Sequence, residues 1–91
     1  MPYEIEYTPG YEKKLFKFLK KHKDVVVRYK KTILLMEVDP FHTSLRLHPL
    51  KGKLKDLHSV SIDMQYRISI EFYIDDNRIV PVNIGTHDEV Y

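Results

Sequence analysis

Three side chains in the last third of the chain are of types that can cleave RNA without a metal ion: Arg67, His87 and Tyr91. In that reaction the ribose 2′-OH attacks the neighbouring phosphate, so the protein has only to move protons and stabilise charge. An imidazole titrates near neutrality, which suits His87 to protonating the leaving 5′ oxygen. A bidentate contact from Arg67 would brace the non-bridging oxygens, and Tyr91 would stack on a base or orient the phosphate. This chemistry requires no cofactor.

Each of these residue types is common at protein surfaces, so the prediction depends on their meeting in one place. Ile68, Ile70 and Phe72 alternate with polar residues, as is typical of a strand buried on one face. The side chains between them then lie on the opposite, open face. The residues predicted there are Arg67, Ser69, Glu71 and Tyr73 on this strand, Ser59, Ser61 and Asp63 on the preceding strand, and Ile79, Pro81, Asn83 and Gly85 on the last strand. His87 is next in phase and shares this face with Arg67 if the last strand stays extended.

The elements that must position these residues follow from the periodicity of the chain. Apolar residues alternate over residues 3–7, which predicts a short strand. They recur at helical spacing over residues 11–22, with lysines between them. A second helix is predicted after Asp24, which is a suitable N-cap, and Pro40 ends it. Two consecutive helices predict a helical hairpin that packs on a sheet.

The remainder of the chain predicts a loop followed by an antiparallel meander. Residues 41–55 contain Pro49 and Gly52 and show little regular pattern, so a loop is expected. Three strands follow, and Pro81 predicts an edge or a bulge in the last one. The prediction is a single α+β domain over residues 1–91, in the order β-α-α-β-β-β, with the helices packed on one face of a twisted sheet.

Charge is distributed unevenly along the 91 residues, although the formal net charge is only +2. Between residues 13 and 31, nine lysines and arginines are opposed by Asp24 alone, which favours a polyanionic partner. Lys51, Lys53 and Lys55 in the predicted loop are candidate RNA-binding residues, and their loss should then flatten the salt dependence of binding. The chain has no cysteine, no pattern of a secretory signal and no long apolar run. A cytoplasmic protein without a membrane partner is expected.

The histidines do not form a metal-binding motif. No pair among His42, His48 and His58 has the i, i+4 or short-loop spacing that would bring two imidazoles to one ion. His58 shares the parity of Val60 and Ile62, which favours a packed position at a strand edge. No metal site is expected.

Three motifs in a fixed order resemble the RelE/ParE toxin superfamily, in particular its RelE and YafQ-like ribonuclease branch. They are His48-Pro49-Leu50-Lys51-Gly52-Lys53-Leu54, then Tyr66-Arg67-Ile68, then Gly85-Thr86-His87-Asp88-Glu89-Val90-Tyr91. The resemblance spans essentially the whole chain. It implies a toxin that enters the ribosomal A site and cleaves the mRNA there, and that a cognate antitoxin wraps and inhibits.

The resemblance also implies catalytic positions. Arg67 matches the strand arginine of the family, His87 the histidine of the terminal Gly-Ser/Thr-His motif and Tyr91 the aromatic residue at its end, while His48 matches the histidine of the His-Pro-Leu motif. Ser61 stands where YafQ-like members have a further histidine. A second departure is Gln65, which stands in place of an aspartate. The general base is then His48, His58 or Asp63, or the ribosome itself organises the 2′-OH.

Two other functions fit the same scaffold. A ParE-like toxin would poison DNA gyrase without a nuclease site, although it has no evident need for His87 and Tyr91. A catalytically silent member would act only as an antitoxin-bound co-repressor. Because function belongs to the site and not to the fold, the fold cannot decide among the three.

Overall fold

The sequence pattern explains where most of the helices and strands begin and end. The computed structural model describes residues 2–90, with only the backbone at Glu89. The elements are β1 (Glu4–Ile5), α1 (Pro9–Lys21), α2 (Val26–Val38), β2 (His48–Pro49), β3 (His58–Ser61), β4 (Tyr66–Tyr73), β5 (Arg78–Thr86) and α3 (His87–Val90). In this part of the chain one sheet has the strand order β1-β5-β4-β3-β2. The α+β class and the β-α-α-meander order are confirmed.

The two long helices have different beginnings. Thr8 caps α1, because its side-chain oxygen accepts a hydrogen bond from the Tyr11 N–H at 3.2 Å, and Pro9 occupies the first turn, where its missing N–H has no consequence. The prediction that Asp24 caps α2 is wrong. Asp24 lies inside a single 3₁₀ turn, Lys23–Val25, and the N-cap of α2 is Val25, whose side chain makes no capping hydrogen bond.

The segment predicted as a loop contains a short edge strand. His48–Pro49 forms β2, which pairs antiparallel with β3. Single 3₁₀ turns lie on either side of it, at Thr43–Leu45 and Gly52–Leu54. Two residues are too few to show an alternating pattern, so this strand could not be predicted from periodicity. Because of this strand, the candidate site residue His48 is part of the sheet.

A bulge in β5 changes which residues of that strand face the helices. The register between β4 and β5 shifts between Ser69 and Ile70, so that Ile70 is opposite Pro81 and Phe72 is opposite Ile79. Ile79 and Pro81 therefore lie on the helix side of the sheet and are fully buried. Their predicted place on the open face is wrong, whereas Asn83 and Gly85, beyond the bulge, keep the predicted face.

The core lies between the helical hairpin and one face of the sheet. Its buried members are Tyr11, Phe18, Val25, Tyr29, Ile33, Met36, Leu45, Val60, Ile68, Ile70, Ile79 and Ile84. These side chains come from both long helices, from the 3₁₀ turns Lys23–Val25 and Thr43–Leu45, and from β3, β4 and β5, so a single core orients the central strands. No helix among residues 2–90 combines the length and apolar character needed to cross a bilayer.

A buried pair of tyrosine hydroxyls joins α1 to α2, and its loss is expected to destabilise the fold. Tyr11 Oη and Tyr29 Oη are 3.0 Å apart, and burial raises the pKa of both groups. In Tyr29→Phe the Tyr11 hydroxyl loses this partner at a site where Tyr11 is 1% exposed, which should cost about 1–3 kcal/mol of unfolding free energy. Urea denaturation measures the change. Tyr73→Phe, at a ring that is 37% exposed and whose hydroxyl donates to Glu71 at the surface, is the matched control, and equal stability of the two variants would contradict the prediction.

Candidate active site

One face of the sheet, opposite the helices, carries a row of polar side chains across four strands. His48 on β2 is directly opposite Ser59 on β3, Ser59 is opposite Ser69 on β4, and Ser69 is opposite Asn83 on β5. Residues directly opposite in neighbouring strands share a face, so this row is continuous. Ser59 and Ser69 are almost fully buried, which means that the middle of the predicted open face is covered.

A second row lies two residues along the strands and contains Arg67. Arg67 is opposite Ser61 on β3 and Gly85 on β5, and it is partly buried. Because Arg67 and Ser69 are two residues apart on β4, they point to the same face as His48. Strands are about 4.8 Å apart, so His48 and Ser69 are separated by roughly 10 Å across the sheet. The structure thus brings Arg67 and His48 to one face.

The hydrogen bonding of His48 assigns its tautomer. His48 Nδ1 lies 2.9 Å from the Arg46 carbonyl oxygen, which can only accept, so Nδ1 is the protonated nitrogen. In the neutral ring Nε2 then carries the lone pair that can take a proton. His42 has the opposite arrangement, since its Nδ1 accepts from the Ser44 N–H at 3.2 Å. Of these two histidines, only His48 lies in the sheet and has Nε2 as the proton-accepting nitrogen.

His87 lies two residues beyond Gly85, the residue opposite Arg67. The predicted alternation of side chains along an extended strand does not determine its direction. β5 ends at Thr86, which is opposite Tyr66, and His87 begins the short helix α3. Extended parity therefore does not apply to His87. Its side chain is 61% exposed, and its Nδ1 is 3.6 Å from Asp88 Oδ1, an ion pair when the imidazole is protonated. The α3 helix packs against β4 and β5, so His87 stays next to the strand that bears Arg67.

The remaining predicted site residues lie at the edge of the sheet or outside the described chain. Lys51, Lys53 and Lys55 are all exposed around the turn Gly52–Leu54. A cavity of about 250 Å³ beside β2 is lined by His48 and Lys51, together with Pro49, Leu50 and Leu54. One of the three lysines is thus next to the histidine. Tyr91 lies outside the described residues.

The other two candidates for a general base are held in structural roles. His58 is opposite Ile70, so it faces the helix side, and its ring packs edge-on against Phe72 with centroids 5.5 Å apart. Asp63 Oδ1 accepts from the N–H groups of Gln65 and Tyr66 at 2.8 and 2.9 Å, which shapes the β3–β4 turn. Neither group is directed to the face that bears Arg67.

The packed position of His58 has a consequence for stability. Burial lowers its pKa below the ordinary value of 6.5, and repulsion from His48 adds a smaller contribution in the same direction. The unfolded chain therefore binds a proton at a higher pH than the native protein, and stability is lost as pH falls below about 6.5. We expect the urea midpoint to drop between about pH 7.5 and about pH 5.5, and to drop less in His58→Gln. The exposed His42→Gln is the control, and an equal drop in His58→Gln and the native protein would contradict this assignment.

No arrangement for holding a metal ion is present among the described side chains. Within residues 2–90, leaving out the side chain of Glu89, no three histidine, aspartate or glutamate residues are grouped closely enough to bind one ion.

Comparison with solved structures identifies the fold. No protein-family model matches the sequence, and no curated protein matches it in sequence. A chain of the E. coli DinJ–YafQ toxin–antitoxin complex superposes with a TM-score of 0.77 at 19% identity, covering 100% of this chain and 99% of that one. The Mycobacterium tuberculosis toxin–antitoxin complex RelBE2 gives 0.68 at 18% identity, with coverage of 96% and 100%. A metal-bound toxin from Helicobacter pylori gives 0.71 at 26% identity, with both chains covered completely.

These solved structures include toxins bound to their antitoxins, and they match the chain over nearly its full length. The chain therefore has the RelE/YafQ-like toxin fold.

Proposed function

We propose that the chain is the toxin of a type II toxin–antitoxin pair and that it cleaves mRNA on the ribosome, in the cytoplasm. The observation that carries this proposal is the common face of Arg67 and His48, together with the hydrogen bond from His48 to the Arg46 carbonyl. A nuclease needs a group that takes a proton beside a group that binds phosphate. The toxin fold supports the same proposal, and a cognate antitoxin is the partner that it implies.

The proposed reaction assigns one role to each residue. His48 Nε2 takes the proton of the ribose 2′-OH, the 2′ oxygen attacks phosphorus, and the bond from phosphorus to the 5′ oxygen breaks. His87 gives its proton to the leaving 5′ oxygen, so the products are a 2′,3′-cyclic phosphate and a 5′-OH. Arg67 holds the non-bridging oxygens as negative charge grows on them. Tyr91 stacks on a base or orients the phosphate.

The lysines around Gly52–Leu54 are proposed to hold the RNA beside this site. Lys51 shares a cavity with His48, and Lys53 and Lys55 are exposed on the same turn, where they can meet phosphates of an extended strand. The electrostatic part of such binding depends on salt, because each neutralised phosphate releases counterions.

Primer extension on a reporter mRNA after induction of the chain tests the proposal. We expect growth arrest with cuts in register with codons, which disappear when the ribosome is absent from a reconstituted reaction. Intact mRNA accompanied by DNA damage would overturn the ribonuclease in favour of a gyrase poison. Intact mRNA without growth arrest, with binding to the antitoxin retained, would indicate a silent co-repressor.

A further inference from the structure

A basic cavity lies near the proposed active site, and none of its basic side chains belongs to the three family motifs. It has a volume of about 430 Å³ and lies between α2, the turn Thr43–Leu45 and the segment that joins β3 to β4. Three basic side chains line it, Arg28, Lys31 and Arg46, with a single carboxylate, that of Asp63. Three bases against one acid leave the lining positive.

The carboxylate does not neutralise this cavity. Asp63 Oδ1 is already bonded to two backbone N–H groups, and Oδ2 lies 3.4 Å from Arg28 Nη1. Among the described residues, neither Lys31 nor Arg46 is within ion-pair distance of an acidic group. Two cationic side chains therefore line the cavity without a protein anion, which suits it to an anionic ligand.

Arg46 connects the cavity to the proposed base. Its backbone is left-handed, with φ 49° and ψ 44°, a conformation that is strained for a residue other than glycine. Its N–H donates to the Thr43 carbonyl, and its own carbonyl accepts from His48 Nδ1 at 2.9 Å. The same residue thus positions His48 through its backbone and lines the cavity, an arrangement typical of strain at functional sites.

The cavity reaches the end of β3, the strand next to Arg67, although its α2 wall lies on the helix side of the sheet and Arg67 faces the other side. Ser61 lines the cavity, and it is the residue directly opposite Arg67 across β3 and β4, about 5 Å away between Cα atoms. Apolar side chains, Leu35, Leu45 and Ile62, line the same space and offer a surface for a base or a ribose. An RNA strand whose scissile phosphate is at Arg67 would reach the cavity by passing the end of β3, where Ser61 contributes to the lining.

We propose that this cavity binds a phosphate flanking the cleavage point of the RNA, held by Lys31 and Arg46. The proposal rests on the proposed ribonuclease function, because continuity with Arg67 and His48 is what favours RNA over an acidic peptide. The cavity would fix the register of the strand and would take no part in proton transfer.

Binding of a short single-stranded RNA in which every 2′-OH is methylated tests this site without cleavage. The double variant Lys31→Gln/Arg46→Gln should bind it roughly tenfold more weakly than the native protein. The slope of log K against log salt should fall by about 0.7, as expected when one phosphate contact is lost. Arg78→Gln removes a positive charge that lies outside the cavity and outside the basic stretch of residues 13–31, in a surface ion pair with Glu6, and should bind within about twofold of the native affinity.

Three results would contradict the proposal that this cavity binds a phosphate of the RNA. One is equal affinity of the cavity variant and the control variant. Another is unchanged RNA affinity together with lost binding of an oligoglutamate peptide, which would assign the cavity to an acidic peptide. The third is an absence of RNA binding by the native protein. None of these decides the proposed function, which is measured separately as mRNA cleavage on ribosomes and its loss in Arg67 variants.

Discussion

Replacing Arg67 with alanine is expected to lower the rate of mRNA cleavage by about 10²–10³-fold while the protein stays folded. Arg67 is the only described arginine or lysine on β4, and it lies on the face that bears His48. Negative charge accumulates on the non-bridging oxygens in the transition state, so a fixed guanidinium there stabilises that state more than the bound substrate. Single-turnover cleavage of mRNA on programmed ribosomes measures the effect, and circular dichroism verifies the fold.

Two further variants show whether the loss reflects phosphate binding. Arg67→Lys keeps the charge but not the planar pair of donors, and should lose roughly tenfold. Arg78→Ala removes an arginine from the neighbouring strand β5, where its Nη1 lies 3.0 Å from Glu6 Oε2 in a surface ion pair, and should cleave at the native rate. A folded Arg67→Ala protein with native activity would remove Arg67 from the mechanism.

The position of Arg67 was predictable because β4 is a long regular strand. Over Tyr66–Tyr73 the side chains keep a period of two, so the polar set and the apolar set separate without knowledge of the partner strands. In β5 the same reasoning is wrong for Ile79 and Pro81. A bulge shifts the phase there, and its exact place depends on pairing with β4 and not on local composition.

The position of His48 and the basic cavity could not be predicted, for a different reason. His48 is placed by a strand of two residues and by a carbonyl whose direction depends on the left-handed backbone of Arg46, a conformation rare for arginine. The cavity is formed by side chains from α2, from the turn Thr43–Leu45 and its cap, and from the β3–β4 segment. No local sequence pattern indicates that the side chains of these three segments line one cavity. The family motif points to His48, but the hydrogen bond that leaves its Nε2 free of a proton in the neutral ring, as the proposed base requires, is visible only in the fold.

Replacing His48 with glutamine is expected to lower cleavage by about 10²–10³-fold and to change its dependence on pH. A base must be neutral and an acid protonated, so cleavage by the native protein should show a bell-shaped dependence on pH. The acid limb arises from protonation of the base, and His48→Gln should lose it. His87→Gln should instead lose the alkaline limb, because His87 is the proposed acid. A merely structural role of either histidine would lower the rate without removing a limb.

Variants of the other histidines and of Asp63 provide the control and show where the base lies if it is not His48. His42→Gln, at an exposed histidine whose Nδ1 accepts from Ser44, should keep both limbs and the native rate. If His48→Gln keeps the acid limb, the base lies elsewhere, and His58→Gln and Asp63→Asn would be examined by the same profile. His58 packs against Phe72, and Asp63 is bonded to the backbone of its own turn. We therefore expect both substitutions to lower stability and to leave both limbs of the pH profile in place.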